Sequence, residues 1–318
     1  MTVLTIDVLA GGLSPERDVS LRSGRRVVEA LRDRGLTARE RDVDANTVAA
    51  WRADAPDCVV PLLHGAAGED GAVREILECM GIPYVGSSAA ACRLAFDKPI
   101  AKTLAAAAGI ATPACVAIPQ STFRELGARD VLASVEGSLG LPLMVKPTRG
   151  GSALGVSRVE HAVDLPSALV EAFGYADVVM LEECRSGTEV AVCVIERTGI
   201  AEALPIIEIV PPGPVYDYDA RYVAGSTEFH VPARLDSSVL ALLSDAALRV
   251  HRTLGLRDLS RSDWIVDGSG QPWFLEVNVA PGMTETSLFP QAIQHAGTSV
   301  GAVIANLVLH RIAQDRPA

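Results

Sequence analysis

Arg261-Ser-Asp-Trp-Ile-Val-Asp-Gly-Ser-Gly-Gln-Pro-Trp-Phe-Leu-Glu-Val-Asn278 carries more structural information than any other stretch of the chain. Two β-rich runs flank an Asp-Gly-Ser-Gly turn, the signature of a hairpin. With a loop of two or four residues, Asp263 faces Glu276 and Arg261 faces Asn278, and the period-2 alternation puts all four side chains on one face. Like charges directly opposite one another destabilise a sheet, so the two carboxylates need a proton or a cation between them. Two carboxylates and an amide oxygen are hard ligands that suit Mg2+, an ion that fills its shell with phosphates and water. A solvated outer face accommodates the same residues equally well, and a three-residue loop would undo the pairing.

Outward from the hairpin, further β-rich runs cover residues 189–195 and 204–210, a helix is expected over 237–254, and another closes the chain. Pro-Pro-Gly-Pro at 211–214 marks a loop. Upstream, a strand over 143–146 runs into Pro147-Thr-Arg-Gly-Gly151-Ser152-Ala-Leu-Gly155. Glycines let backbone N–H groups approach phosphate oxygens, and Lys146 ends the strand where it could neutralise phosphate charge. Neither a Walker A loop nor a complete G-x-G-x-x-G is present, so the same loop also reads as a plain hairpin turn. The first third alternates strand and helix: a strand over 3–10, a helix capped by Ser14-Pro15, a strand over 58–63 ending at His64-Gly65, a helix over 73–79, and a third short strand over 82–85. This is an open α/β layout, in which ligands gather at the carboxyl ends of strands.

Composition narrows the function. The 318 residues suggest two or three domains, and 49% hydrophobic with 21% charged residues excludes wholesale disorder. A net charge of −11 argues against nucleic acid or an anionic membrane as partner. Of 28 Lys+Arg, all but Lys98, Lys102 and Lys146 are arginine, so each lysine stands out as a place where a compact ammonium is wanted. Six cysteines without a C-x-x-C pair point to reduced thiols, the pattern of the cytoplasm, rather than a zinc site. No stretch reads as a membrane span or a signal peptide.

Taken together, several segments resemble the D-alanine–D-alanine ligases of the ATP-grasp superfamily. They are 11–20, 64–71 and 81–86; Asp97-Lys98 with Lys102; Lys146-Pro147 with Gly151-Ser152; 216–222; Arg261 to Asp263; and 276–284 with Ser287-Leu288. The resemblance runs through nearly the whole chain in the family's order. It implies an ATP-grasp fold of mixed α+β and α/β character in three domains: an N-terminal Rossmann-like unit (1–96), a central unit (97–182) and a C-terminal unit (183–318) with a mobile loop near 211–226. It also implies that two D-alanines are joined through an acyl phosphate for peptidoglycan, with ATP and Mg2+ (or Mn2+) as cofactors and a homodimer as the assembly.

Residue by residue, the resemblance implies that Lys98, Lys146, Gly151, Ser152 and Arg221 meet the ATP phosphates and that Glu182, Glu183 and Glu189 meet adenosine. Asp263, Glu276 and Asn278 match the metal ligands. Glu16 would bind the first ammonium, linked to Ser152 and Tyr222. Arg261 and the Gly282 N–H would hold the oxyanion, although Arg261 has a structural alternative as the partner of Asp263. Ser287 and Leu288 would receive the second amino acid, with His64 nearby. Tyr222 favours a peptide over an ester product, while D-serine, D-lactate or a specialised-metabolite acceptor remain rivals, as does a non-catalytic nucleotide-binding regulator. Departures from the family's pattern are Arg221, where relatives carry a lysine, and Gly150 and Ala153 in the glycine loop.

Overall fold

The computed structural model describes residues 4–213, 216, 221 and 225–315. Three sheets organise them. The first is parallel, in the order β2-β1-β3: β1 (Thr5–Ala10) lies between β2 (Thr37–Asp42) and β3 (Cys58–Pro61). β1 and β3 are almost wholly buried, as expected of strands covered on both faces. Asp7 sits fully buried within β1, where Arg39 and Arg41 of β2 and the Trp51 indole N–H (2.9 Å) all donate to it. Burial opposes its charge, but these donors prevail and hold its carboxyl below the usual range. The third strand is therefore β2 and not the expected run over 82–85, which makes only a single bridge, Val59 to Tyr84. The helix Arg17–Arg32 begins after the expected Ser14-Pro15 cap; Ser14 Oγ instead accepts the Glu16 N–H at 3.1 Å, and Glu16 occupies the N-cap position.

The second sheet, in the order β4-β7-β5-β6, comprises β4 (Cys115–Pro119), β5 (Leu143–Pro147), β6 (Ser157–Val159) and β7 (Val178–Glu183). The pleat sorts its residues cleanly. Leu143, Val145, Val179 and Leu181 enter a core with Leu165 and Leu169, both from the helix Leu165–Phe173. Met144, Lys146, Met180 and Glu182 take the other face, with Met144 directly across from Glu182.

The third sheet is built on β8 (Thr188–Arg197), with β9 (Ile200–Ala203), β10 (Ile207–Val210), β11 (Glu228–His230), β12 (Leu259–Val266) and β13 (Pro272–Asn278), in the order β11-β10-β8-β12-β13, and β9 also pairing with β8. β12 and β13 form the hairpin anticipated above. Arg261 pairs with Asn278 and Asp263 with Glu276, but the loop has five residues (267–271), because Val266 pairs with Pro272. An odd loop alone would put Leu275 opposite Asp263. The register shifts between Asp263 and Trp264, leaving Leu275 as the extra residue of a bulge, and this restores Glu276 and Asn278 to the face of Arg261 and Asp263.

One apolar core joins the first and third sheets: Ile6, Val8 and Cys58 pack with Ala191, Phe289 and Ile304. A second core sets Cys92, Ala101 and Ala105, from the helices Ala89–Phe96 and Lys98–Ala107, beside Trp264 and Phe274 of the hairpin. The second sheet keeps its own core. A cleft therefore opens between it and the third sheet. Among the described residues no single helix is long and apolar enough to cross a membrane.

Candidate active site

Two clefts meet at the hairpin. One lies between the second and third sheets and is walled by Met144, Lys146, Gly151, Ala153, Glu182, Glu183, Cys184, Glu189, Asp263 and Ile265. The other lies under the loops that leave the carboxyl ends of β1 and β3 and is walled by Glu16, His64, Glu69, Ser152, Arg261, Asn278, Gly282, Ser287 and Leu288. Lys98, Gly150, Gly151, Tyr216, Arg221 and Glu276 line both. Every described candidate from the sequence thus borders one cleft or both. Tyr222 lies outside the described residues.

The shared wall is charged. Lys98 Nζ donates to the Gly150 carbonyl at 2.8 Å and lies 3.2 Å from Glu276. Burial alone would raise the Glu276 pKa, but Lys98, Arg221, Lys146 and Arg261 overcome it and push the carboxyl down to about 2. Arg261 grips Asp263 through two bonds, Nε at 2.8 Å and Nη2 at 2.9 Å. The facing carboxylates of the hairpin therefore each hold their own cation, and the pairing by itself does not require a metal. The structural alternative for Arg261 is realised, yet Asp263 uses only two of the roughly five N–H donors of a guanidinium, and Arg261 still lines the second cleft. Arg221 lies over the Tyr216 ring at 4.5 Å and donates to the Tyr216 carbonyl at 3.1 Å.

In the cleft between the sheets, Glu182 accepts from both Lys102 and Lys146, the latter at 2.5 Å. Lys102, to which the sequence assigned no ligand, is thus part of a buried ion cluster. Glu183 is held by Arg185 at 2.5 Å, and Arg185 stacks on Trp273 at 3.8 Å. Glu189 has its pKa raised to about 7, first by burial; Arg221 pulls it down while Asp263 and Glu276 push it up.

In the other cleft, Ser152 donates to Glu16, and Ser14 Oγ donates to the second Glu16 oxygen at 3.3 Å. Ser152 and Ala153 hold positive φ, 53° and 56°, a conformation that non-glycine residues adopt only under constraint. His64 is buried, with Nε2 lacking a hydrogen-bond partner, and burial, more than any charge, keeps its imidazole neutral. Glu69 was quoted in the 64–71 segment without a role, but it borders this cleft and accepts the Gly65 N–H at 2.9 Å. Burial first, then Glu16, raises its carboxyl to about 8. Its closeness to His64 in a glycine-rich strand-end loop was the available signal. The loop after β13 is pinned by the helix Arg17–Arg32: Arg26 donates to the Met283 and Thr284 carbonyls at 3.1 and 2.6 Å. A side chain on Gly282 would place its Cβ 2.8 Å from Ser287 Oγ, so that hydroxyl would have to turn aside to admit one.

Oxygen donors at Asp263, Glu276 and Asn278 fit a hard divalent cation, provided Asp263 is shared with Arg261. Among the described residues no group of three or more His, Cys, Asp and Glu side chains could hold a metal, so any ion there would depend on phosphate and water for the rest of its shell.

A cleft between two antiparallel sheets, a second cleft at the strand ends, and a charged wall common to both define the class: an ATP-grasp ligase. Comparison with known proteins carries this to a family. The model for the D-ala D-ala ligase C-terminus matches residues 104–309 and that for the N-terminus matches 38–87. The D-alanine–D-alanine ligase of Desulforudis audaxviator is 40% identical over 99% of this chain and 100% of its own, and that of Bordetella petrii is 39% identical over 95% and 90%. Among solved structures, the VanG D-Ala:D-Ser ligase from Enterococcus faecalis aligns with a TM-score of 0.83 at 28% identity, covering 96% of this chain and 99% of that one. The D-alanine–D-alanine ligase from Bacillus anthracis complexed with ATP aligns with a TM-score of 0.80 at 28% identity over 98% of both. The chain belongs to the D-alanine–D-alanine ligase family, a family of ATP-dependent ligases.

Proposed function

We propose that the chain joins two D-alanine molecules into D-alanyl-D-alanine, a peptidoglycan precursor, at the expense of ATP. The observation that carries this is the wall of Lys98, Gly150, Gly151, Arg221 and Glu276 common to both clefts. Moving a phosphoryl group from a nucleotide to a carboxylate requires the two to meet across such a wall, with cations facing the transferred charge.

In this reading ATP occupies the cleft between the sheets, its phosphates near Lys98, Lys146, Arg221 and the Gly151-Ser152 backbone, its adenosine along Glu182, Glu183 and Glu189. Mg2+, for which Mn2+ can substitute, offsets phosphate charge when bound; Asp263, Glu276 and Asn278 would hold it. The first D-alanine places its ammonium on Glu16, tied to Ser152 and Tyr222. Its carboxylate oxygen takes the γ-phosphoryl group and ADP forms. The second D-alanine, with its carboxylate at Ser287 and its methyl by Leu288 and His64, loses a proton and attacks the acyl carbon through its amine. Arg261 and the Gly282 N–H stabilise the tetrahedral oxyanion, and phosphate leaves with the oxygen it acquired.

Three domains, 1–96, 97–182 and 183–318, each carrying one sheet, belong to the same reading, as does a homodimer. All six cysteines are free thiols, which supports a reducing compartment such as the cytoplasm. The expected mobile loop over 211–226 lies largely outside the described residues. A second reading, with D-serine as the acceptor, draws on the likeness to the VanG D-Ala:D-Ser ligase. Product mass from D-alanine alone, and from D-alanine mixed with D-serine or D-lactate, tests both. D-Ala-D-Ala with equimolar phosphate is expected; phosphate release only with the mixed acceptors would overturn the first reading.

A further inference from the structure

Glu182 is one of the most deeply buried charges in the protein, with 1% of its side chain exposed, and it holds two lysines at once. Lys146 approaches one carboxylate oxygen and Lys102 the other. The two lysines differ in what else they can reach. Lys146 lines the cleft between the sheets, whereas Lys102 lines neither cleft and has 2% of its side chain exposed. Lys102 stands one helical turn beyond Lys98 on the helix Lys98–Ala107, so this helix sends one lysine to the shared wall and one to the ion cluster behind it.

A single carboxylate needs only one cation. On the reading that this cleft takes ATP, Lys146 must turn from Glu182 to a phosphate when the nucleotide arrives. Were Lys146 the sole partner, that move would strand an ionised carboxylate away from water, a state heavily penalised in a protein interior. We infer that Lys102 is a positioning residue for the nucleotide: it stays on Glu182, holds that carboxylate in place, and so frees Lys146 to serve the phosphates. Lys102 touches no substrate; it acts through Glu182 and Lys146.

Lys102→Gln and Lys102→Met in the full chain, titrated with ATP in the presence of Mg2+ by calorimetry, test this directly, with thermal melts reporting folding. The dissociation constant for ATP is expected to rise about tenfold or more, the scale of one disturbed charge contact, while the KM for D-alanine stays within about twofold. Lys102→Arg should recover most of the loss. In a Glu182→Gln background Lys102→Gln should add little further, because the two act as one unit. ATP affinity equal to wild type in either variant, parallel losses for ATP and D-alanine, or full additivity with Glu182→Gln would overturn the inference. A wild-type protein that fails to bind ATP would instead remove the functional reading on which it rests.

Discussion

The two clefts differ in what backs them and in construction. The cleft between the sheets is backed by a cation-rich cluster, with Lys102 and Lys146 sharing Glu182 on a flat, pleated wall. The cleft at the strand ends carries Glu16, Glu69 and a neutral His64 imidazole on the segments that follow β1 and β3, together with Arg261 of β12. The first suits a polyanion. The second suits the ammonium group of an amino acid. What separates them is a thin wall in which Glu276 and Lys98 face both sides. A ligase that activates a carboxylate needs both clefts to open on one wall, because the phosphate of the nucleotide and the carboxylate of the amino acid must meet there.

The largest break in this arrangement is expected from Glu276→Gln, which removes the only carboxylate among the described residues that lines both clefts. Turnover should fall at least about a hundredfold, the scale of a lost electrostatic group in a transition state. Lys98 would lose its partner, so the dependence on Mg2+ concentration should shift as well. Steady-state kinetics across a Mg2+ series reads both effects, and turnover near wild type would separate Glu276 from the chemistry.

A smaller effect, confined to the strand-end cleft, is expected from Glu69→Gln. Burial pushes the Glu69 carboxyl up to about 8 in the folded protein, against about 4.5 for a free glutamate side chain. The folded state therefore retains a proton that the unfolded chain releases, and stability falls as pH rises between those two values. Below the lower value both states are protonated and nothing is lost; above the higher one the full loss is present. Glu69→Gln has no charge to bury, so its melting temperature relative to wild type should climb steadily from pH 5 to pH 8 and level off above. A gap that does not change with pH would contradict the assignment.

The flat wall was far more legible in the sequence than the looped one. The strand over 143–146, the glycine loop that follows it and the scarcity of lysine already put Lys146 where it can neutralise a phosphate. In the hairpin, the pairing of Asp263 with Glu276 follows from period-2 geometry, but the route to it does not: a five-residue loop is offset by a bulge at Leu275, and a bulge is a backbone feature with no local compositional mark. β2 was invisible because Thr-Ala-Arg-Glu-Arg-Asp reads as a polar surface, when two of its arginines serve the buried Asp7 across the sheet. Lys102 looked idle because its partner lies 80 residues away. Glu69 offered only its closeness to His64, because its burial beside Glu16 depends on a segment some fifty residues away in the chain. Residues whose function rests on a repeating local geometry could be read; those whose function rests on long-range enclosure could not.

The central claim is that a carboxylate oxygen in one cleft receives phosphoryl from a nucleotide in the other. D-alanine labelled with 18O in both carboxylate positions, turned over with unlabelled ATP and Mg2+, tests this most directly, with mass spectrometry of the phosphate and the dipeptide. If an acyl phosphate forms across the shared wall, each molecule of dipeptide is accompanied by one phosphate carrying a single 18O, and the new peptide carbonyl keeps the other. Unlabelled phosphate released in step with dipeptide would show that phosphoryl never reached the carboxylate, and the joined-cleft account would fail.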